Sequence, residues 1–343
     1  MAEIAKPKNL LIEISICLAA LAAVMILSTL VGTQKINLEN VFAGPGKSAG
    51  ENIDYEILVR VRLPRVILAA LVGAALACSG VTLQAILRNP LADPYILGIS
   101  SGAGLGVIVA VLSGITWSFL GGSPVAVFAF AGALITVWLV WSIGHFTGKS
   151  QMTSLLLAGV VVNAFFSAMI MFLTSIAKSE QIYSTIFWLM GNITEKNPSV
   201  LWLSAGYILA GITGLFIIAQ KLNVLTFGQE EAKTLGVDPA KTRIIAFGIA
   251  AFITAIAVSL SGLIGFAGLI IPHTVRMIFG PDHRRLLPVS AIIGSAFLVA
   301  ADTVARIIVA PAQLPVGVIT AIAGGPFFLV LLAKYSRKVG WLK

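Results

Sequence analysis

The chain has 343 residues, 58% of them apolar and 11% charged, and carries 23 Lys and Arg against 14 Asp and Glu for a formal net charge of +9. Apolar runs near bilayer-crossing length recur from end to end, which excludes a soluble globular domain and predicts an all-α, polytopic membrane protein forming a single domain over residues 1–343. The positive balance belongs to membrane topology, because nucleic-acid binding would need a basic soluble domain that the composition does not supply.

Ten spans fit, near residues 10–31, 63–86, 95–113, 123–144, 153–175, 199–220, 242–262, 265–279, 287–309 and 314–333. The first follows Lys6 and Lys8, exceeds a signal-peptide core and lacks an A-x-A site before Gly32, so it reads as retained. In the loop that follows, Gly44-Pro45-Gly46-Lys47-Ser48 imitates a phosphate-binding loop, but Val41 stands where that motif needs glycine and no strand precedes it. Arg60, Arg62 and Arg65 then cluster at the entrance of the second span. From Arg62 to Gly102 the chain makes two crossings joined by a polar elbow at Asn89-Pro90.

Residues 181–191, QIYSTIFWLMG, form a short amphipathic stretch with Phe187, Trp188 and Met190 on offer for apolar contact near an outer entrance. Interfacial anchoring is the alternative for Trp188. Asn192-Ile193-Thr194 matches a glycosylation sequon, a frequent accident that decides nothing. The segment 221–241 is the polar interruption with the clearest helix signals: Gln229 to Leu235 can form a short helix, Gly236 ends it, and Asp238-Pro239 starts the next. Glu230 and Glu231 beside Leu235 give it a mixed surface suited to a soluble partner, with a plain connector as the alternative. Arg243 to Phe279 would run about 55 Å as one helix, too long for a core about 30 Å thick, so a break is expected at Ser261, Gly262 and Gly265. Asp302 lies one helical turn before Arg306; an acid in an apolar span is costly unless paired, so its expected task is to hold Arg306.

With both termini in the cytoplasm, most Lys and Arg fall inside, as the positive-inside rule requires, while Arg60, Arg62 and Arg65 fall outside and need a separate explanation. Cys17 and Cys78 read as small buried hydrophobes. His145, His273 and His283 are scattered without ligand spacing, so no metal, no cofactor and no catalytic residue is expected. An internal repeat offset by 182 residues pairs Ser79-Gly80 with Ser261-Gly262, Pro90 with Pro272 and Gly98 with Gly280, with chance matching among small membrane-helix residues as the alternative. It maps span two onto span seven, which predicts inverted halves made of spans 2–5 and 7–10.

Several motifs together resemble one family. They are RLPR at 62–65, RNPLADPYILGISSGAG at 88–104, LLLAG at 155–159, GQEEAKTLG at 228–236, GLIGFAGLIIPH at 262–273, DHRRLLP at 282–288, ADTVAR at 301–306 and LPVGVITAIAGGPFF at 314–328. In this order they resemble permease subunits of type II ABC importers, the FecCD family that carries iron-siderophores, haem and cobalamin.

That resemblance implies a homodimer in the prokaryotic cytoplasmic membrane, working with two cytoplasmic ATPase subunits and an extracytoplasmic substrate-binding protein, and with no nucleic-acid partner. It implies docking of the binding protein on Arg62, Arg65 and Arg306, extended by Arg60 and supported by Asp302. It implies ATPase coupling through Gly228, Glu230, Glu231, Leu235 and Gly236. The inner gate falls at Asn89, Pro90 and Leu91 with Thr153, and Phe187, Trp188 and Met190 line the outer pathway. Headgroup anchoring remains the other reading of the arginines, and a turn-capping role that of Asn89. From a different class, an ion-coupled secondary transporter also uses inverted repeats but needs charged groups at mid-membrane, of which Asp302 is the one candidate.

Overall fold

The computed structural model describes residues 7–45, 52–116, 122–146, 151–193 and 197–339. Within them the chain is a helix bundle. Helix α1 (Pro7–Leu30) is followed by short α2 (Leu38–Phe42) and α3 (Ile53–Tyr55), which runs through a π-helical segment, Glu56–Arg62, into α4 (Leu63–Ile86). After a 3-10 turn at Pro94–Leu97 come α5 (Ile99–Ser113), α6 (Pro124–Phe146), α7 (Gln151–Ser175), α8 (Ser179–Leu189) and α9 (Pro198–Ile217). Two short helices, α10 (Ala219–Phe227) and α11 (Gln229–Thr234), lead into α12 (Pro239–Ser261), α13 (Ala267–Phe279), α14 (His283–Ile307) and α15 (Val316–Val339).

Among the described residues seven helices are long and apolar enough to cross a membrane. Three shorter apolar helices, Ile99–Ser113, Ala267–Phe279 and Val316–Val330, stand where the third, eighth and tenth spans are expected. At 13 residues α13 reaches about 20 Å, less than a hydrocarbon core about 30 Å thick. The break before it falls where the length argument puts it: α12 stops at Ser261, Gly262 has φ +67° and Phe266 has φ +68° before α13 starts.

Helix α4 organises the bundle. It is buried on every side from Val72 to Ile86, and α1, α9, α10, α12, α13 and α14 all pack against it. In lipid, helices gain nothing by hiding apolar surface from one another, so they associate through close van der Waals contact and a few polar bonds. Gly80 meets the Gly268 carbonyl of α13, and Gly73 meets the Gly294 carbonyl of α14, each so closely that a methyl group would overlap the opposing backbone. Hydroxyls add direction: Ser79 donates to the Ala250 carbonyl of α12 at 3.0 Å, and Ser295 of α14 donates to the Ala70 carbonyl of α4 at 2.7 Å.

The helix order of α4 to α7, a long helix, a break, a short helix and two long ones, recurs in α12 to α15. The 182-residue offset does not mark equivalent positions, however. Ser79-Gly80 lies inside α4 whereas Ser261-Gly262 ends α12, and Pro90 lies in a loop whereas Pro272 lies inside α13. The connections differ in length, residues 87–98 in one half and 262–266 in the other, so no single offset can register both sides of the break. Gly98 and Gly280 do share a task, closing a helical turn with φ +76° and +91°.

Gly80→Ala forces α4 and α13 apart and is expected to cost about 1–3 kcal/mol, read as a lower unfolding midpoint in detergent. Gly248→Ala on the exposed side of α12, where a methyl meets open space, is the control and should leave the midpoint unchanged or slightly raised.

Candidate functional site

At the end of the bundle where α4 starts, Asp302 of α14 is 1% exposed and joins two arginines. Arg65 donates to its carboxylate from Nε at 3.1 and 3.0 Å and from Nη2 at 2.9 Å, and Arg306 Nε lies 3.2 Å from Oδ2. The expected Asp302–Arg306 pair is therefore a triad. Arg306 also donates to the Ser28 carbonyl at 2.9 Å and to the Thr303 hydroxyl at 3.0 Å. Arg62 donates to the carbonyls of Thr29 at 3.2 Å and Leu30 at 2.7 Å, and to that of Gln34. The last carbonyls of a helix lack intrahelical donors and attract cations, which is why the end of α1 accepts both guanidinium groups. Arg62 and Arg306 are thus buried and occupied, while Arg60, paired with Glu56 at 3.1 Å, has a side chain 65% exposed.

At the opposite end, the elbow after α4 is a tight turn. Arg88 adopts φ +46°, Asn89 Oδ1 accepts from the Leu91 N–H at 3.0 Å, and the Asn89 carbonyl accepts from the Ala92 N–H at 3.0 Å. Asn89 is therefore a turn former at the position expected for the inner gate. Pro90 is exposed beside it and Leu91 half-buried. The fourth gate residue, Thr153, lies on α7, its side chain outside the described residues. Asp93 caps the 3-10 turn by accepting from the Tyr95 N–H at 2.8 Å, with Pro94 at the first position. Its other oxygen is buried without a partner, and burial pushes its carboxyl up to about 6.

The elbow walls an open cavity of about 530 Å³, lined by Leu91, Asp93 and Tyr95 together with Phe266, Leu269 and Phe328 of α15. A second cavity of about 320 Å³ shares Ser100 and Leu263 with it and adds Asn163 and Ser167 of α7. Those three polar residues, Ser100, Asn163 and Ser167, are absent from the sequence-based site. The signal was a helical spacing of Asn163 and Ser167, one turn apart on an otherwise apolar span.

Helix α11 forms as expected. Gly236 takes φ +76°, its N–H bonds the Lys233 carbonyl at 3.0 Å and the Val237 N–H bonds the Ala232 carbonyl at 2.9 Å, the paired bonds of a glycine-closed helix end. Asp238 caps α12 through bonds from the Ala240 and Lys241 N–H groups at 3.0 and 3.1 Å. The Glu230 side chain is 82% exposed, pairs with neighbouring Lys233 at 3.0 Å, and shares its outward surface with Glu231 and Leu235. Gly228 opens the helix, and the Gln229 amide, oriented with its oxygen toward the guanidinium, accepts from Arg243 at 3.0 and 3.1 Å.

The amphipathic stretch is α8. Trp188 packs on the core, Phe187 stacks on Tyr183 with ring centroids 6.1 Å apart, and Met190 is exposed. Its end closes on the α12–α13 break: the Asn192 N–H bonds the Ser261 carbonyl at 2.7 Å, and the Gly317 N–H of α15 bonds the Gly191 carbonyl at 3.3 Å.

Paired broken helices beside an open cleft are the build of a membrane transporter. The chain belongs to the FecCD transport family, whose model matches residues 20–334, and is a permease of the ABC-transporter type. It is 45% identical over 277 residues to the cobalamin import system permease protein BtuC of Halobacterium salinarum, covering 80% of this chain and 73% of that one. It is 40% identical over 285 residues to the hemin transport system permease protein HmuU of Yersinia pestis, covering 83% and 85%. A solved structure described as an inward-facing conformation of a metal-chelate type ABC transporter superposes with a TM-score of 0.78 at 31% identity, covering 92% of this chain and 98% of that one.

Asp302→Ala leaves a buried Arg306 and a half-buried Arg65 without their shared carboxylate, and is expected to destabilise the fold by about 3–5 kcal/mol, measured as the unfolding midpoint in detergent. Asp93 supplies a pH test. Its folded-state value lies above the ordinary carboxylate range, so its contribution is present at low pH and is lost as pH rises through about 6. Asp93→Asn keeps the cap and removes the charge, so its midpoint relative to wild type should rise with pH across that window; a difference that stays flat with pH contradicts the burial.

Proposed function

We propose that this permease imports a metal chelate, a ferric siderophore or haem, or cobalamin, across the cytoplasmic membrane as a homodimer. Two ATPase subunits engage residues 221–241 from the cytoplasm and a substrate-binding protein delivers cargo from outside. Both termini then lie in the cytoplasm, and the chain hydrolyses no ATP itself. The observation that carries the reading is the surface at 228–236: an exposed Glu230, Glu231 and Leu235 on a short helix with defined ends, set beside the elbow that walls the cavity. The relatives' cobalamin and hemin support the cargo class without choosing within it.

Transport follows by alternating access. Loaded binding protein meets the Arg60 and Arg65 end, with Arg62, Arg306 and Asp302 fixing the helix ends beneath it. ATP binding and hydrolysis in the partners displace α11, and the gate at Asn89, Pro90, Leu91 and Thr153 opens the cavity inward. The outer pathway runs past Phe187, Trp188 and Met190. Partner binding must differ between the two states, because a ligand indifferent between them shifts nothing.

Reconstituted vesicles test this. With ATPase and binding protein present, uptake of a ferric siderophore, haem or cobalamin should require ATP and survive an ionophore. Glu230→Arg should leave a folded dimer while uptake and binding-protein-stimulated hydrolysis fall together. Uptake that needs no ATPase and collapses with the ionophore would establish the secondary-transporter alternative, and then Asp93 and Asp302 become the groups to examine.

A further inference from the structure

Arg88 joins two segments that the proposed mechanism must move together. Its Nε and Nη2 donate to the Leu225 carbonyl at 3.2 and 3.0 Å. Leu225 lies in the last turn of α10, where carbonyls have no intrahelical donor, and its side chain is fixed in the core. Three residues later Gly228 opens α11. On its other side Arg88 is bonded by peptide linkage to Asn89, whose turn runs without slack into Asp93 and Tyr95. The Tyr95 hydroxyl accepts from the Ile264 N–H at 2.8 Å, inside the α12–α13 break. The series Leu225, Arg88, Asn89, Asp93, Tyr95, Ile264 is therefore a continuous set of bonds from the base of α11 to the cavity wall.

The backbone of Arg88 adds a second observation. Its φ of +46° lies in the left-handed region, which suits glycine and strains a branched or long side chain. A residue chosen for that turn alone would be glycine or asparagine. An arginine there keeps the strain, and what it gains is a planar fork able to bridge to the neighbouring helix from two nitrogens. Arg243 of α12 holds Gln229 of α11, the residue next to Gly228, so a second guanidinium engages the same segment.

We infer that Arg88 is a positioning residue that transmits displacement of the 228–236 segment to the inner elbow, so that the gate moves when the ATPases move. The inference rests on the reading that 228–236 engages the ATPase. A helix-capping role alone would leave the ratio of cargo moved to ATP hydrolysed untouched; transmission requires that ratio to change.

Arg88→Gly separates the two, because glycine adopts the observed φ without strain while removing the guanidinium. In vesicles with the complete complex, Arg88→Gly is expected to assemble with the ATPase and keep binding-protein-stimulated hydrolysis, while cargo moved per ATP falls about tenfold, within the usual range of coupling between sites. Arg88→Lys, which keeps charge but loses the fork, should fall between. A cysteine at Leu91 should change its accessibility with nucleotide in wild type and cease to do so in Arg88→Gly. Wild-type cargo per ATP in Arg88→Gly overturns the inference, as does a lowered unfolding midpoint with that ratio unchanged. Failure of the underlying reading looks different: Glu230→Arg would then retain hydrolysis and uptake, whatever Arg88→Gly does.

Discussion

The contact of Gly80 with the Gly268 carbonyl, and of Gly73 with that of Gly294, brings α13 and α14 to backbone distance from α4. Much of the architecture depends on that approach. Within a bilayer, association has to come from close packing, and a central helix with bulky side chains on every face would hold its neighbours too far apart for the hydroxyl bonds of Ser79 and Ser295 to form. Because α4 is gripped along its length, its two ends become fixed reference points. One presents Arg62 and Arg65; the other presents Arg88 and the elbow.

Helix α1 shows the converse case. Its apolar surface is largely exposed, as suits a lipid-facing helix, and polar bonds locate it at both ends. Arg62 and Arg306 take the carbonyls of Ser28 to Leu30 at one end, and Arg285 pairs with Glu13 nearer the other. Burying guanidinium groups is expensive, and a carboxylate shared between Arg65 and Arg306 offsets much of that cost only because Asp302 sits between them almost free of solvent. The triad fixes helix positions more than it adds net stability.

What the sequence discloses follows the range of each interaction. The glycine-ended α11, the Asp238 cap and the Asp302–Arg306 pair are local, set by residues within about one turn, the break at Ser261 to Gly265 follows from the length of one continuous segment, and each is present as read. The burial of Arg62 and Arg306 was not legible, because it depends on the end of α1 arriving beside them from far along the chain. Arg88 to Leu225 and Tyr95 to Ile264 are likewise long-range, as are the cavity positions of Ser100 and Asn163. The repeat offset fails for a different reason: small residues recur in membrane helices to permit packing, so they match at offsets that do not relate equivalent positions, and Gly80 packs on Gly268 and not on the matched Gly262.

The breaks also constrain how such a molecule can move. Interrupted helices leave backbone groups that lipid cannot satisfy, and here they satisfy one another or borrow side chains: Asn192 bonds Ser261, Gly317 bonds Gly191, and Ile264 bonds the Tyr95 hydroxyl. Sliding one break by about an ångström takes these bonds beyond the ordinary N–H···O range and strands several donors at once, so intermediate positions are costly. Motion between two fully bonded arrangements avoids that cost, which favours discrete states over continuous opening. A short stiff elbow bonded at both ends suits that regime, since it passes a displacement from one break to the next without absorbing it in its own turn.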